Sequence, residues 1–284
     1  MFPLSKKIKS SELANSLGLC FIGDDLLVDN IASLDDASKG SLSFASKNVS
    51  GVTKNFTCIA ENHAATFDCL VLSKNPRYDF IRALNYLVDN KIVDNKKFIG
   101  LISSKAKIHS TAIVEEGASI GDGCCIGPYT HIRSNAVINK NCLIGSHSDI
   151  GHDGFSFERH GGCVSRRMPH FGRVLIGENV EIGNSCSISR GVLQDTVIGD
   201  DVKIDDQSYV AHNVNVRRGS LLMSGCRLNG RVTVGKQSWI GTGSVIKEGV
   251  SIGDNAIIGM SSCVINDVDS DITVAGNPSR RLRK

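Results

Sequence analysis

His212 is the side chain in this sequence best suited to moving a proton. It stands in the segment YVAHNVNV, two residues after Val210. A neutral imidazole is the usual general base near pH 7. Such a base could take a proton from an amine or hydroxyl attacking an activated acyl carbon; the alternative is an ordinary surface histidine. Seven further histidines make up the total of eight. His147 and His152 lie near Asp149 and Asp153, where they could bind a metal or substrate or simply hydrogen-bond within a loop. His109 and His131 adjoin apolar repeat positions and are expected to face solvent. His160 and His170, with Arg166 and Arg167, make one loop basic, which suits a phosphate or plain solubility. No GxSxG elbow, P-loop or dinucleotide fingerprint falls in a fitting context, and nothing suggests a covalent nucleophile. No CxxC pair occurs, so no metal site is expected.

The elements that must position His212 are set by a six-residue period. Ile102, Ile108, Val114, Ile120, Ile126, Ile132, Ile138, Ile144 and Ile150 follow it without a miss. A helix would repeat its apolar face every three or four residues, and a half-buried strand every two. Period six fits a coil of short flat strands with a turn after each, one branched side chain per rung pointing at a central axis. Glycine follows the axial residue at Gly121, Gly127, Gly145 and Gly151, where a turn needs unusual backbone angles. Small residues precede it by two at Ala118, Cys124, Thr130, Ala136, Cys142 and Ser148, as a crowded inner corner requires. One rung cannot bury its apolar side alone, so stacking must supply the core.

The period breaks at HDGFSFERHGGCVSRRMPHFGRVL and returns at Ile176, Ile182 and Ile188. A smaller break, SRGVLQDT, adds four residues. Twelve rungs from Ile198 to Val264 follow, for 24 in all. Three rungs per turn would make eight coils, a prism about 40 Å long at ~4.8 Å between stacked strands. Residues 18 apart would then lie above one another, Val210 under Leu228 and Arg218 under Lys236. Stacked like charges are mildly unfavourable. An anionic ligand beside Arg218 and Lys236 would remove that penalty, unless the two side chains merely splay into solvent.

Residues 1–98 do not follow the period. SSELANSL reads as a helix opened by a serine cap, with Leu13 and Leu17 on one face. Strand-like runs surround Val28 and Leu42, CIAENHAATFDCLVLSKNP reads as strand, turn, strand, and Phe80, Ile81, Leu84 and Leu87 have helical spacing. The expected organisation is a small α/β domain (1–98), a coil (99–268) with a loop insertion (151–175), and a basic tail (269–284). A net charge of +3 is too small to argue for nucleic acid. No stretch is apolar enough to span a bilayer, and the start carries lysines without a following apolar run, so no signal peptide is read. Four of the ten cysteines, Cys124, Cys142, Cys186 and Cys226, occupy the small corner position. Reduced thiols and a cytoplasmic location are expected.

The repeat resembles the hexapeptide acyltransferase superfamily, and the chain is most similar to the N-acyltransferases of lipid A synthesis, which acylate the 2-amino group of UDP-3-O-acylglucosamine. The stretches that carry the resemblance are SELANSLGLCFIGDDLLVDNIASLDDASKGSLSF, KNPRYDFIRAL, HDGFSFE and FGRVLIGENVEIGNSCSISRGVLQDTVIGDDVKIDDQSYVAHNV. It implies a mainly β fold, a left-handed parallel β-helix with a small N-terminal α/β domain, assembled as a homotrimer with active sites between subunits. It implies that His212 is the general base, with Asp206 or Asp205 orienting the ring. It places Asp153, Phe155, Phe157, His170 and Asn213 along the acceptor cleft, and Phe44 against a uracil. The tyrosine expected a few residues beyond Phe44 is missing, because SKNVSG stands there. A second family histidine maps onto Gly249, and the family's C-terminal helices are absent.

The tail VAGNPSRRLRK is instead similar to the ends of coenzyme-A-dependent acetyltransferases, where Arg280, Arg281 and Arg283 could meet donor phosphates. Backbone N–H groups of the coil, at Gly225 or Gly230, would stabilise the oxyanion, and Arg218 and Lys236 are assigned to the donor. The expected activity is therefore transfer of an acyl group to the amino group of a nucleotide-linked amino sugar in lipopolysaccharide or surface-polysaccharide synthesis, without a covalent intermediate. No cofactor is held permanently, and acyl-coenzyme A is the favoured co-substrate. An acyl-carrier-protein-dependent N-acyltransferase of lipid A synthesis is the alternative, and an inactive trimeric scaffold is the reading from another class.

Overall fold

The computed structural model describes residues 1–45, 53–61, 67–93, 99–161 and 165–282. The chain forms two compact units, Met1–Lys96 with Phe155–Phe171, and Lys97–Gly154 with Gly172–Lys284. The expected border near residue 98, the SKNVSG segment and Arg283 lie outside the described residues.

The first unit is a six-stranded sheet with two helices. Its elements are β1 (Phe2–Lys9), α1 (Ser10–Leu17), β2 (Phe21–Gly23), β3 (Leu27–Ile31), β4 (Ser41–Phe44), β5 (Thr53–Ala60), β6 (Phe67–Leu72) and α2 (Pro76–Asp89). The strand order is β1-β3-β4-β5-β6-β2, with the four central strands parallel and both edges antiparallel. Successive residues are buried in β4 (Ser41, Leu42, Ser43) and in β6 (Cys69, Leu70, Val71), so both faces of these central strands are covered. The amphipathic stripes of the helices are buried: Leu13 and Leu17 on α1, and Phe80, Ile81, Leu84 and Leu87 on α2. The serine cap expected for α1 is not formed. Lys9 is the N-cap, and the buried Ser10 hydroxyl turns inward to Leu26 O at 2.9 Å and Thr57 Oγ1 at 2.7 Å. Asn75 caps α2 instead, accepting from the Tyr78 N–H at 3.1 Å with Pro76 next in line.

The long break in the period is divided between the units. Residues 155–171 join the first unit, where Phe157–Glu158 pairs antiparallel with Arg166–Arg167. This ribbon is tied to α2 by Arg77–Glu158 at 3.0 Å, by Asn85 Nδ2 donating to Arg167 O at 3.2 Å, and by Tyr78 stacked on His160.

The second unit is the left-handed parallel β-helix. Its three faces are parallel sheets stacked rung on rung, and the axial Ile, Val and Leu residues form one continuous buried core. Val210 stacks under Leu228 as expected. The step between stacked residues is 18 where the period is unbroken, 38 across the long break and 22 across the short one. The insertions therefore leave the register of the rungs intact. The first rung is unfinished, with Ile102 48% exposed. At the other end Thr273–Ala275 adds a further strand, and Arg280–Arg281 folds back antiparallel on it. The corner cysteines are buried, and none of the described cysteines is in a disulfide. Burial pushes the Cys142 thiol up to about 12 and Cys226 to about 11, so these groups behave as small apolar fillers.

Candidate active site

His212 occupies the turn after the rung Tyr209–Val210 and is only 8% exposed. Its environment is built by the next residue. Asn213 has φ 61°, the left-handed conformation that asparagine tolerates better than most residues. Its N–H donates to Thr196 Oγ1 at 2.9 Å, and its Nδ2 donates to Gln194 O at 2.9 Å. Its Oδ1 accepts from Val192 N at 3.2 Å and faces His212 Nδ1 at 3.0 Å. A carbonyl oxygen can only accept, so His212 Nδ1 must carry the hydrogen. The neutral ring then keeps its lone pair on Nε2. Val192 and Gln194 belong to the short four-residue break, which thus supplies the groups that lock Asn213.

Gly230 stacks one coil beyond His212. A Cβ on Gly230 would lie 2.6 Å from His212 Cε1 and 2.9 Å from Nε2. Only a residue without a side chain lets the imidazole lie flat against the backbone there. On the other side of His212, the rung Ser187–Arg190 carries Arg190, which pairs in register with Asp153. Arg190 Nε donates to Gly172 O at 2.7 Å, and Nη1 is 3.9 Å from Asp153 Oδ1. Burial lowers the pKa of Arg190, with Asp153 and Asp195 opposing the shift. Asp153, Arg190, His212 and Gly230 thus form one polar column along a corner of the prism.

Other expected members of the site stand elsewhere. Asp205 and Asp206 belong to the preceding corner and are engaged with backbone. Asp206 Oδ1 accepts from Asn184 N at 2.6 Å, while Asp205 accepts from Asp206 N at 2.8 Å and Ser224 N at 3.1 Å. A rung advances the chain from one corner to the next, so a residue six positions before His212 cannot share its corner. The orienting side chain is Asn213, which the sequence had suggested only as a cleft residue. Gly225 shares the corner of Asp206, to whose carbonyl its N–H donates at 2.9 Å, so of the two candidate glycines only Gly230 meets the histidine. Arg218 is neutralised by Asp201, with Nη2 at 2.6 Å and Nε at 2.8 Å. The like-charge penalty expected between Arg218 and Lys236 is already offset within the chain, and an anionic ligand is not needed to remove it. Arg280 and Arg281 are exposed on the terminal strand. That strand is five places from the rung Lys203–Ile204 in its sheet, roughly 24 Å along the axis.

Phe44, Phe155, Phe157 and His170 belong to the first unit. Phe44 packs on Phe80 with ring centroids 4.8 Å apart. Phe155 is 81% exposed and leans on Phe157, whose ring carries the Arg167 guanidinium at 5.0 Å. His170 is buried, and its Nδ1 donates to Met168 O at 3.0 Å. Arg190, Thr196 and Gln194 were not singled out by sequence; the only signal for them was that SRGVLQDT interrupts an otherwise strict period just before His212.

A three-sided coil of six-residue rungs defines the hexapeptide-repeat class of protein. In agreement, the family described as "Bacterial transferase hexapeptide (six repeats)" matches residues 117–152 and 231–266. Curated relatives are more specific. The UDP-3-O-acylglucosamine N-acyltransferase of Coxiella burnetii (strain RSA 493 / Nine Mile phase I) is 30% identical over 249 residues, covering 76% of this chain and 72% of the relative. The protein of the same name from Herminiimonas arsenicoxydans is 30% identical over 306 residues, covering 90% and 84%. The chain belongs to the UDP-3-O-acylglucosamine N-acyltransferase family, and it is an acyltransferase. Among solved structures, UDP-N-acetylglucosamine acyltransferase from Campylobacter jejuni superposes with a TM-score of 0.51 at 23% identity, over 62% of this chain and 74% of that one. The Arabidopsis enzyme gives 0.50 at 24% identity, over 64% and 73%. These two likenesses bear on the fold alone.

Proposed function

We propose that the protein transfers an acyl group from a thioester to the 2-amino group of a UDP-linked 3-O-acylglucosamine, a step of lipid A synthesis. His212 Nε2 takes a proton from the attacking amine as the N–C bond forms. The thiolate leaves the tetrahedral carbon, and the proton passes on to it. Asn213 Oδ1 holds the Nδ1–H and so keeps the basic nitrogen turned to the reaction. The observation that carries this reading is the Val192–Asn213–Gln194 network, which admits one neutral tautomer of His212, the one a base requires.

Of the two donors, the acyl carrier protein is now favoured over coenzyme A. The relatives' names match the lipid A acceptor, and the lipid A reading is the one that takes its acyl group from the carrier protein. The working enzyme is a homotrimer in the cytoplasm, with each cleft shared between copies. The test is acyl transfer to UDP-3-O-acylglucosamine, followed by mass spectrometry of the sugar. The expected product gains one acyl amide with a hydroxyacyl carrier protein and little or none with acetyl-coenzyme A. Acetylation from coenzyme A with no use of the carrier protein would reverse the donor assignment. His212→Ala should lower turnover about 10²–10⁴-fold with an unchanged circular dichroism spectrum; a variant that kept full turnover would remove His212 as base.

A further inference from the structure

A β-bulge interrupts the pairing of the rung Asp149–Asp153 with Ser187–Arg190, between Ile150 and His152. Gly151, at φ 99°, makes it. A Cβ there would come within 2.8 Å of Asn135 Oδ1 and 3.1 Å of Arg133 Cβ, so the position is closed to other residues. Bulges re-aim side chains and are common beside functional sites. Here the bulge swings His152 over the neighbouring strand, so that its Nε2 lies 2.7 Å from Ser187 Oγ. Its Nδ1 lies 3.0 Å from the carbonyl oxygen of Asp153. A carbonyl has no hydrogen to give, so Nδ1 carries the proton and the neutral ring presents a lone pair at Nε2. Ser187 must therefore donate its hydroxyl hydrogen to that nitrogen. A second hydroxyl, Ser189 Oγ, lies 3.5 Å from the same atom. Both His152 and Ser187 are only half-buried, on the outer side of the sheet.

We propose that Ser187 and His152 form a nucleophile–base pair, which takes an acyl group from an activated ester or thioester and releases it to water. A hydroxyl within hydrogen-bond reach of a base that is itself oriented by a third group is the arrangement that activates serine. Ser187 Oγ attacks the acyl carbon, and its proton moves to His152 Nε2. The C–S bond breaks, and the leaving sulfur receives that proton, leaving an ester on Ser187. Water then attacks the ester carbon, giving a proton to Nε2. The C–O bond to Ser187 breaks, and the proton returns to Oγ. The balance is thioester plus water to carboxylic acid plus thiol, with no change of oxidation state. The pair does not include His212: Ser187 is in register with Tyr209, three residues before that histidine. It requires no acceptor sugar.

The test uses the full chain without any sugar, incubated with p-nitrophenyl acetate or with acetyl-coenzyme A. Nitrophenolate or free thiol is followed, and tryptic peptides are mapped for acetyl groups. Hydrolysis above the buffer rate is expected, with acetyl on the peptide holding Ser187. Ser187→Ala should abolish both, and His152→Gln should lower the rate at least ~10-fold. Ser187→Cys, which retains a nucleophile of similar size, should accumulate the acetyl adduct and thus covers the case in which the alanine variant unfolds. A wild-type rate no higher than that of Ser187→Ala, or acetyl found only on other residues, overturns the proposal and leaves the sugar acyltransferase reading untouched.

Discussion

At the scale of single residues, the state of His212 is fixed by the residue that follows it. Asn213 can neither flip its amide nor leave its left-handed turn without losing bonds to Thr196, Val192 and Gln194. Asn213→Asp keeps an acceptor beside Nδ1 and tolerates the same backbone, but places a negative charge there. A nearby anion favours the imidazolium, so the pKa of His212 rises. The base is then protonated up to a higher pH, and the acidic limb of the kcat/KM profile should move upward. An unmoved limb would mean that the ring does not act as base. Gly230→Ala probes the same ring from the other side. Its methyl group would meet Cε1 at 2.6 Å, and the ring must turn away. A shift near 1 Å can cost about 10²-fold in rate, so turnover should fall by roughly that factor while the unfolding temperature changes little. In both variants the readout distinguishes a displaced imidazole from an unfolded coil.

At the scale of elements, the rungs carry charge chemistry on their outer faces. Arg133 bridges two acids, bonding Asp149 at 2.7 Å and Glu115 at 3.3 Å, while His131 bonds Glu115 at 2.8 Å. Burial by itself would raise the Glu115 carboxyl, but the Ser134 N–H, His131 and Arg133 outweigh it and hold the pKa below its usual value. For Asp149, burial is likewise outweighed by the Arg133 bond and charge, and its pKa is also lowered. An acid whose pKa is lower folded than unfolded adds stability above its unfolded value, and that stability is lost as pH falls through the folded one. Unfolded carboxyls titrate near about 4. The β-helix should therefore lose stability below about pH 4, read as a falling urea midpoint. In Arg133→Ala the midpoint should be lower at neutral pH and should fall less on acidification. An equal fall in both proteins would exclude this cluster as a source of acid sensitivity.

At the scale of the molecule, the first unit is discontinuous in sequence. The ribbon of residues 155–171 leaves the coil and completes a domain that began at residue 1. A fragment ending near residue 98 therefore lacks the partners of Arg77, Tyr78 and Asn85 on α2. That fragment should unfold at a lower temperature than the same unit in the full chain, with faster hydrogen exchange along α2; equal protection would show that the ribbon adds nothing. Sequence alone determined the coil, because one axial aliphatic every six residues has no other way to be buried, and the two breaks showed as interruptions of that period. It also pointed to His212 and to the corner cysteines, since each rung repeats the same local environment. The serine cap that the sequence suggests for α1 does not form, because Ser10 is drawn inward by Thr57, a partner 47 residues away. Asp205 and Asp206 lie close to His212 in sequence, but in the folded coil they face a different edge from the histidine. Asn213 as the orienting group, Gly230 as its floor, and the meeting of His152 with Ser187 across 35 residues were decided by tertiary structure alone. Such pairings depend on insertion lengths, on a one-residue bulge and on left-handed turn residues, and these become distances only after the coil has closed.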